Sequence, residues 1–225
     1  HGDQHRAGHV ARVEGAVAGK PYPVGVTTNA EDGVSNFRRL WPVCEAMQDA
    51  GMVLCLHGEE PGYFCLDRET AFLDTLEELV SKFPKLRIVL EHVSSERAVE
   101  RIQELPETVA ATVTVHHLLL TLDDVVGGKL NPHHFCKPVP RTPDDRAAIQ
   151  GAVLRSKRKF FLGTDSAPHL RETKECAQGM PGVFTAPVAV PLLVQFFEKH
   201  ECLELLEDFT SRLGAEFYGL PLNEG

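Results

Sequence analysis

Residues 52–57 read MVLCLH, a short apolar run that ends in a histidine. Residues 86–92, LRIVLEH, repeat the pattern: a mostly apolar run is followed by Glu91 and His92. Short apolar runs of this length are typical of strands that are buried on both faces, as the strands of parallel sheets are. The two stretches therefore predict parallel strands that each present a histidine at the carboxyl end.

Helical patterns separate the predicted strands. Residues 71–83 carry apolar side chains at helical spacing, with acidic residues on the opposite face. Ser95 and Thr142 are residue types that cap helix starts, and Pro143 suits the first position of a helix. Helices are predicted over 71–83, 96–105, 142–155, 189–200 and 203–213, and further strands over 109–115 and 159–162. Strands that alternate with helices predict an α/β fold built from parallel β/α units.

The positions of polar residues distinguish between two folds that contain such units. Residues able to bind a metal follow the carboxyl ends of successive predicted strands, namely His57, His92, His116, His117 and Asp165. A (β/α)8 barrel gathers such strand ends around one site, whereas a doubly wound sheet gathers them mainly at one crevice. The pattern therefore favours a TIM-type barrel. About five strands are recognisable, including a weak one that ends at Lys20, so an incomplete or open barrel is expected.

Composition limits the classes of function. The 225 residues include 43% hydrophobic and 24% charged residues, which suits a single globular domain over residues 1–225 without linkers or repeats. The formal net charge of −9 argues against a nucleic-acid-binding protein, and no apolar run is long enough to span a membrane. The six cysteines form no C-x-x-C pair, and Cys44 and Cys55 lie in apolar stretches. Reduced thiols in a cytoplasmic protein are therefore expected.

His57, His92 and Asp165 are the strongest candidates for chemistry. Imidazole binds zinc and related metals, and a carboxylate can bind a metal, transfer a proton, or do both. Each residue taken alone has a structural explanation, because a histidine at a strand end is often only hydrogen-bonded and an aspartate often caps a turn. Two histidines in the same context, with a carboxylate on a third strand, favour a metal site. His116 and His117 receive no role.

Separate motifs, in order along the chain, resemble those of one enzyme family. They are KPYP at 20–23 with TTN at 27–29, LHGE at 56–59, LEH at 90–92, HFCKP at 134–138, FLGTDSAPH at 161–169 and FYGLP at 217–221. Together they resemble the dihydroorotases of the single-function bacterial and fungal type, in the amidohydrolase superfamily. The resemblance extends from about residue 17 to residue 223, whereas residues 1–16 match poorly. It implies a chain that contains strands 4–8 of the barrel and lacks strands 1–3.

The resemblance implies a binuclear Zn2+ centre. Lys20 would be carboxylated by CO2 and would bridge the two zinc ions. His57 and His92 would hold the second ion, and Asp165 would bind the first and transfer a proton. The reaction would be the reversible conversion between L-dihydroorotate and N-carbamoyl-L-aspartate in pyrimidine biosynthesis. The residues expected to contact this small-molecule substrate are Thr27, Thr28, Lys137, His169, Pro181 and Gly182.

The resemblance also implies a homodimer for the intact enzyme, and the chain departs from the family in one motif. The family's first strand supplies a His-x-His pair to one metal, and no His-x-His occurs in this sequence. His1, His5 and His9 lie too close to Lys20 in the chain to replace that pair. The chain by itself is therefore expected to be inactive. The alternatives are a hydantoinase-like cyclic amidohydrolase and a catalytically inactive homologue.

Overall fold

A computed structural model describes residues 15–21, 37–155 and 158–223. In these residues five strands form one parallel sheet, and strands that follow each other in the chain are hydrogen-bonded neighbours. The strands are β1 Ala18–Gly19, β2 Val53–His57, β3 Arg87–Glu91, β4 Val109–Val113 and β5 Phe160–Leu162. A doubly wound sheet reverses its strand order at a switch point, and this order does not reverse. The sheet is therefore part of a TIM-type (β/α)8 barrel, as predicted.

Helices connect the strands, and the predicted caps are confirmed. In the described chain the helices are α1 Trp41–Asp49, α2 Arg68–Lys82, α3 Glu96–Glu104, α4 Val115–Leu119, α5 Leu122–Val126, α6 Pro143–Leu154, α7 Arg171–Lys174, α8 Ala189–Lys199 and α9 Leu213–Tyr218. Ser95 accepts a hydrogen bond from the backbone N–H of Ala98, and Thr142 accepts one from that of Asp145. Among the described residues, no helix combines the length and the apolar character needed to cross a membrane.

One predicted strand is confirmed but ends two residues early, and one predicted helix is wrong. The strand predicted over 109–115 ends at Val113, because Thr114 accepts the backbone N–H of His117 at 3.0 Å and starts a helix. A local cap of this kind competes with the extended conformation that β-branched residues favour. The helix predicted over 203–213 is replaced by several shorter elements. They are the 3-10 turn Leu203–Leu205, the π-helical turn Asp208–Arg212 and α9. The elements that were not predicted are the 3-10 turns Phe37–Leu40 and Pro132–His134 and the helices α1, α4, α5 and α7.

Side chains that alternate along the strands enter two apolar clusters. Leu54 and Leu56 of β2 pack in the larger cluster, which also holds helix residues such as Phe72 of α2. Val53 and Cys55 of the same strand belong to a smaller cluster on the opposite face of the sheet. Because both faces are covered, the strands read as continuous apolar runs rather than as an alternating pattern.

The C-terminal helix α9 covers the smaller cluster. Phe161 of β5 belongs to this cluster, and its ring centroid lies 5.7 Å from that of Phe217 and 5.9 Å from that of Tyr218. Arg87 donates a hydrogen bond of 2.7 Å to the Phe217 carbonyl, and the Tyr218 hydroxyl lies 3.4 Å from the Sγ of Cys55. The carboxyl ends of the strands remain accessible as the place for a site.

Candidate functional site

Two histidines meet at the carboxyl ends of β2 and β3. His57, the last residue of β2, pairs in register with Glu91, the last residue of β3, so that His92 lies one residue beyond the sheet. The Nδ1 of His57 lies 3.1 Å from the Nε2 of His92, and both side chains are buried. In a tetrahedral zinc site with Zn–N bonds of about 2.0 Å, two ligand nitrogens are about 3.3 Å apart. The pair therefore fits two ligands of one ion.

The outer nitrogens of the two rings differ in their surroundings. The Nε2 of His57 lies 2.7 Å from Oε2 of the buried Glu59. A carboxylate on the second ring nitrogen fixes the tautomer and orientation of a metal-binding histidine. The Nδ1 of His92 is buried without a hydrogen-bond partner in the described chain. Burial, followed by the nearby charges of His57 and Lys20, lowers the pKa of His92 well below its usual range, so this imidazole stays neutral and able to bind a metal.

His92 and Asp165 have backbone conformations that residues other than glycine seldom adopt. Their φ angles are 44° and 37°, in the left-handed region. Such a conformation costs about 1–3 kcal/mol and persists where the surroundings impose it, often at functional sites. For His92, the backbone N–H donates to the Thr112 hydroxyl at 2.8 Å. This backbone strain supports His92 and Asp165 as site candidates, and the observation does not depend on the sequence motifs.

Lys20 directly follows β1 and forms an ion pair with Glu91. Its Nζ lies 2.5 Å from the Oε2 of Glu91, the residue that precedes His92. An ammonium group cannot bind a cation, so Lys20 could serve as a ligand only after carboxylation. The ion pair would then have to break, because a carbamate and a carboxylate are both negatively charged.

Asp165 is exposed and lies just beyond the end of β5. It lines a cavity of about 500 Å³ together with His92 and Glu91. Thr210 and Ser211, from the π-helical turn, line the same cavity. The structure therefore brings the Asp165 carboxylate and one histidine of the buried pair to a common cavity at the carboxyl ends of the strands.

Two of the residues expected to contact the substrate lie at a second cavity. His169 and Gly182 line this cavity, whose volume is about 560 Å³. The Nε2 of His169 lies 3.0 Å from the carbonyl oxygen of Pro181. Gly182 has a φ of 154°, and a Cβ there would lie 2.6 Å from the Ala167 carbonyl oxygen, so the position requires glycine. The structure thus brings these substrate candidates together, at a cavity different from that of the metal candidates.

A buried lysine, Lys174, connects the segment of Pro181 and Gly182 to the segment that contains Lys137. The Nζ of Lys174 donates to the carbonyl oxygens of Phe135, Met180 and Gly182 at 3.2, 2.9 and 2.5 Å. The backbone N–H of Gly182 also donates to the Phe135 carbonyl at 2.8 Å. Because Phe135 lies two residues before Lys137, Lys174 holds both expected substrate-binding segments in one arrangement.

Sequence reasoning assigned no role to Glu59, Glu91 or Lys174. Glu59 and Glu91 could have been found from the sequence, since each is a carboxylate within two residues of a candidate histidine in the LHGE and LEH motifs. No sequence pattern marks Lys174, because the three residues whose carbonyl oxygens it contacts lie 6 to 39 residues away in the chain. Thr27 and Thr28, expected near the substrate, lie outside the described residues.

The chain is similar in sequence and structure to dihydroorotases. It is 45% identical over 209 residues to the dihydroorotase of Shewanella denitrificans, a match that covers 92% of this chain and 61% of that protein. Its structure superposes with a TM-score of 0.90 on the crystal structure of dihydroorotase in complex with 5-fluoroorotic acid from Saccharomyces cerevisiae. That match has 38% identity and covers 96% of this chain and 64% of the yeast chain. No family model matches the chain.

A more distant structural neighbour shares the fold. The L-hydantoinase (dihydropyrimidinase) from Arthrobacter aurescens superposes with a TM-score of 0.75 at 18% identity, covering 90% of this chain and 50% of that one. The chain spans about three fifths of the length of the curated relatives that it matches. Identities of 42–45% over 92–95% of the chain show that it is similar to dihydroorotases along the part of their length that it spans.

Proposed function

We propose that the chain forms part of a dihydroorotase, which interconverts L-dihydroorotate and N-carbamoyl-L-aspartate in cytoplasmic pyrimidine biosynthesis. The observation that carries this proposal is the buried pair of His57 and His92, whose facing nitrogens are 3.1 Å apart in a chain that is similar to dihydroorotases. Two imidazoles at neighbouring strand ends provide nitrogen donors of the kind that zinc binds. A homodimer is proposed for the intact enzyme.

Two zinc ions are the proposed cofactor. When bound, they would act as Lewis acids that polarise the substrate carbonyl and acidify water. His57 and His92 would hold one ion, with Glu59 orienting the first imidazole. Lys20, as a carbamate released from Glu91, would bridge the ions. Asp165 would bind the other ion.

Asp165 is also proposed to move the proton of the reaction. Its carboxylate would take a proton from the attacking water and deliver it to the departing amide nitrogen. The exposure of Asp165 and its place at the 500 Å³ cavity support this role, because the carboxylate is accessible to a substrate. Because one carboxylate can both take up and give back the proton, Asp165 would serve both directions of the reversible reaction.

His169 is proposed to recognise the substrate carboxylate. It follows Asp165 by four residues, so both side chains belong to the segment that follows β5. The Lys174 contacts support a fixed position for the backbone groups that would hold the pyrimidine ring. The proposed substrate-binding residues beside His169 are Lys137, Pro181, Gly182, Thr27 and Thr28.

The test is an assay of L-dihydroorotate and hydantoin turnover by the protein expressed from its complete reading frame, with zinc and bicarbonate. We expect hydrolysis of L-dihydroorotate faster than about 1 s⁻¹, the ordinary enzyme range. His92→Ala should lower kcat by more than about 100-fold, since it removes a ligand and even loss of a ligand's support costs 10–100-fold. His200→Ala, at an exposed position after α8, is the matched control and should change kcat little.

The same assay separates the alternatives. The 225-residue chain alone is expected to stay below about 1 s⁻¹, because its described residues provide only part of a binuclear ligand set. A preference of the complete protein for hydantoin would favour a hydantoinase-like enzyme. Failure of the complete protein to hydrolyse either compound would contradict the proposed activity and favour an inactive homologue.

A further inference from the structure

A second group of potential metal-binding side chains contains neither residue of the pair at the ends of β2 and β3. His116, His117 and Cys136 each offer one ligand atom, and these atoms all lie within 4.8 Å of one another. All three residues are buried. Neighbouring residues of a helix point about 100° apart, yet the ring centroids of His116 and His117 are only 4.8 Å apart. Both rings are therefore turned toward a common region beside Cys136.

His116 has no partner that explains its burial. Neither of its ring nitrogens has a hydrogen-bond partner in the described chain, although both are buried. An unsatisfied buried polar group costs about 1–3 kcal/mol, so native proteins seldom keep one without a ligand, an ion or a water. Burial also lowers the pKa of His116 to about 2. The ring is neutral at physiological pH and has a lone pair available for a cation.

His117 and Cys136 converge on one backbone oxygen. The Nε2 of His117 lies 3.0 Å from the carbonyl oxygen of Pro138, and the Sγ of Cys136 lies 3.2 Å from the same oxygen. Ligand atoms of a tetrahedral zinc site, with bonds of about 2.0–2.3 Å, are about 3.3–3.6 Å apart. The distances from the oxygen to the nitrogen and to the sulfur are therefore within a few tenths of an ångström of two edges of such a tetrahedron.

The His117 ring has the support that a metal ligand needs. Its Nδ1 lies 2.9 Å from the hydroxyl oxygen of Thr114, which also caps α4. Metal-binding histidines almost always donate the N–H of their second nitrogen to such an acceptor. A proton on Nδ1 would leave Nε2 free for a cation.

We propose that His116, His117 and Cys136 bind a divalent ion of the zinc type, with the carbonyl oxygen of Pro138 as fourth ligand. Imidazole and thiolate ligands select such an ion over magnesium or calcium. Binding releases one proton, from the Cys136 thiol, while the proton of His117 moves from Nε2 to Nδ1 and donates to Thr114. The ligand atom of His116, which lies within 4.8 Å of those of His117 and Cys136, would move closer to them.

This ion has a structural role. Four ligands from the protein leave no open position, which is the arrangement of structural zinc sites. The ion joins α4 to the loop of residues 135–142, which the Lys174 hydrogen bonds hold from the other side. The inference does not rest on the proposed enzymatic activity, because it uses none of the residues assigned to catalysis.

Cobalt(II) titration of the metal-free 225-residue chain tests the proposal, because thiolate ligation gives a charge-transfer band in the near ultraviolet. The background is the Cys65→Ser/Cys176→Ser variant, which removes the two exposed thiols. We expect a saturable band in this background and in the further variant with His57→Ala and His92→Ala. His116→Ala should weaken the affinity for cobalt by about 10-fold or more, because even the loss of a residue that supports a metal ligand costs about 10–100-fold in metal affinity.

Cys136→Ser should abolish the band, whereas Cys44→Ser, at a buried thiol outside the cluster, should retain it. Far-ultraviolet circular dichroism checks that the variants remain folded. A band that survives Cys136→Ser, or no thiolate band in the background chain itself, would overturn the proposal. The second result requires no substitution in the cluster, so it is independent of any folding defect.

Discussion

Acidification from pH 6.5 to pH 5 should lower the free energy of unfolding of the metal-free chain steeply. Burial lowers the pKa of His116 to about 2 and that of His117 to about 4, from an ordinary value of 6.5. In this range the unfolded chain binds a proton at each histidine and the folded chain does not. Stability is therefore complete above pH 6.5 and is lost as pH falls, by up to about 1.4 kcal/mol per pH unit for each histidine. His92, whose pKa is also lowered, adds to the slope.

Urea unfolding in the presence of EDTA at several pH values between 7.5 and 5 measures this slope. His116→Gln removes one titrating ring from the buried set, so its slope should be smaller by about 1.4 kcal/mol per pH unit. His200→Gln is the control and should leave the slope unchanged, since His200 is exposed. Glu69, whose pKa is raised by burial, opposes the loss in every variant and cancels in the comparison. Equal slopes for the parent and His116→Gln would contradict the expectation.

Local signals in the sequence account for much of the fold. The apolar runs that end at His57 and His92 correspond to β2 and β3, because short apolar runs of this kind are typical of strands that are buried on both faces. The caps at Ser95 and Thr142 were predictable because a cap depends on residues within one helical turn. Contacts within a few residues are thus the part of the structure that the sequence specifies visibly.

Most of the rest depends on contacts that are distant in sequence. His117 and Cys136 converge on the Pro138 carbonyl, 21 residues from the histidine, and no pattern in either segment predicts this contact. The strand predicted over 109–115 ends two residues early for a different reason, a contact that is close in sequence. Its β-branched composition is compatible with a strand, and only the capping geometry of Thr114 decides that a helix begins there. The division into two cavities likewise follows from loop packing rather than from motif order.

Lys174→Met should lower the free energy of unfolding by about 3–5 kcal/mol. The residue is 3% exposed, and its ammonium donates to three carbonyl oxygens, those of Phe135, Met180 and Gly182. Hydrogen bonds that involve a charged group contribute about 1.5–3 kcal/mol each, and those sharing one ammonium are not additive. Methionine retains the length and apolar packing of the lysine stem but removes the ammonium from all three oxygens, of which only that of Phe135 keeps another donor within the described chain, the Gly182 N–H.

Urea unfolding at pH 7.5 measures the loss, and Lys199→Met, at an exposed position in α8, is the matched control that should stay within about 0.5 kcal/mol of the parent. Hydrogen exchange at the backbone N–H of Gly182 gives a local readout. This group donates to Phe135 across the two segments that Lys174 joins, so its exchange should accelerate in Lys174→Met more than that of amides in β3. A loss below about 1 kcal/mol, with unchanged exchange at Gly182, would mean that the backbone contacts alone hold the two segments together.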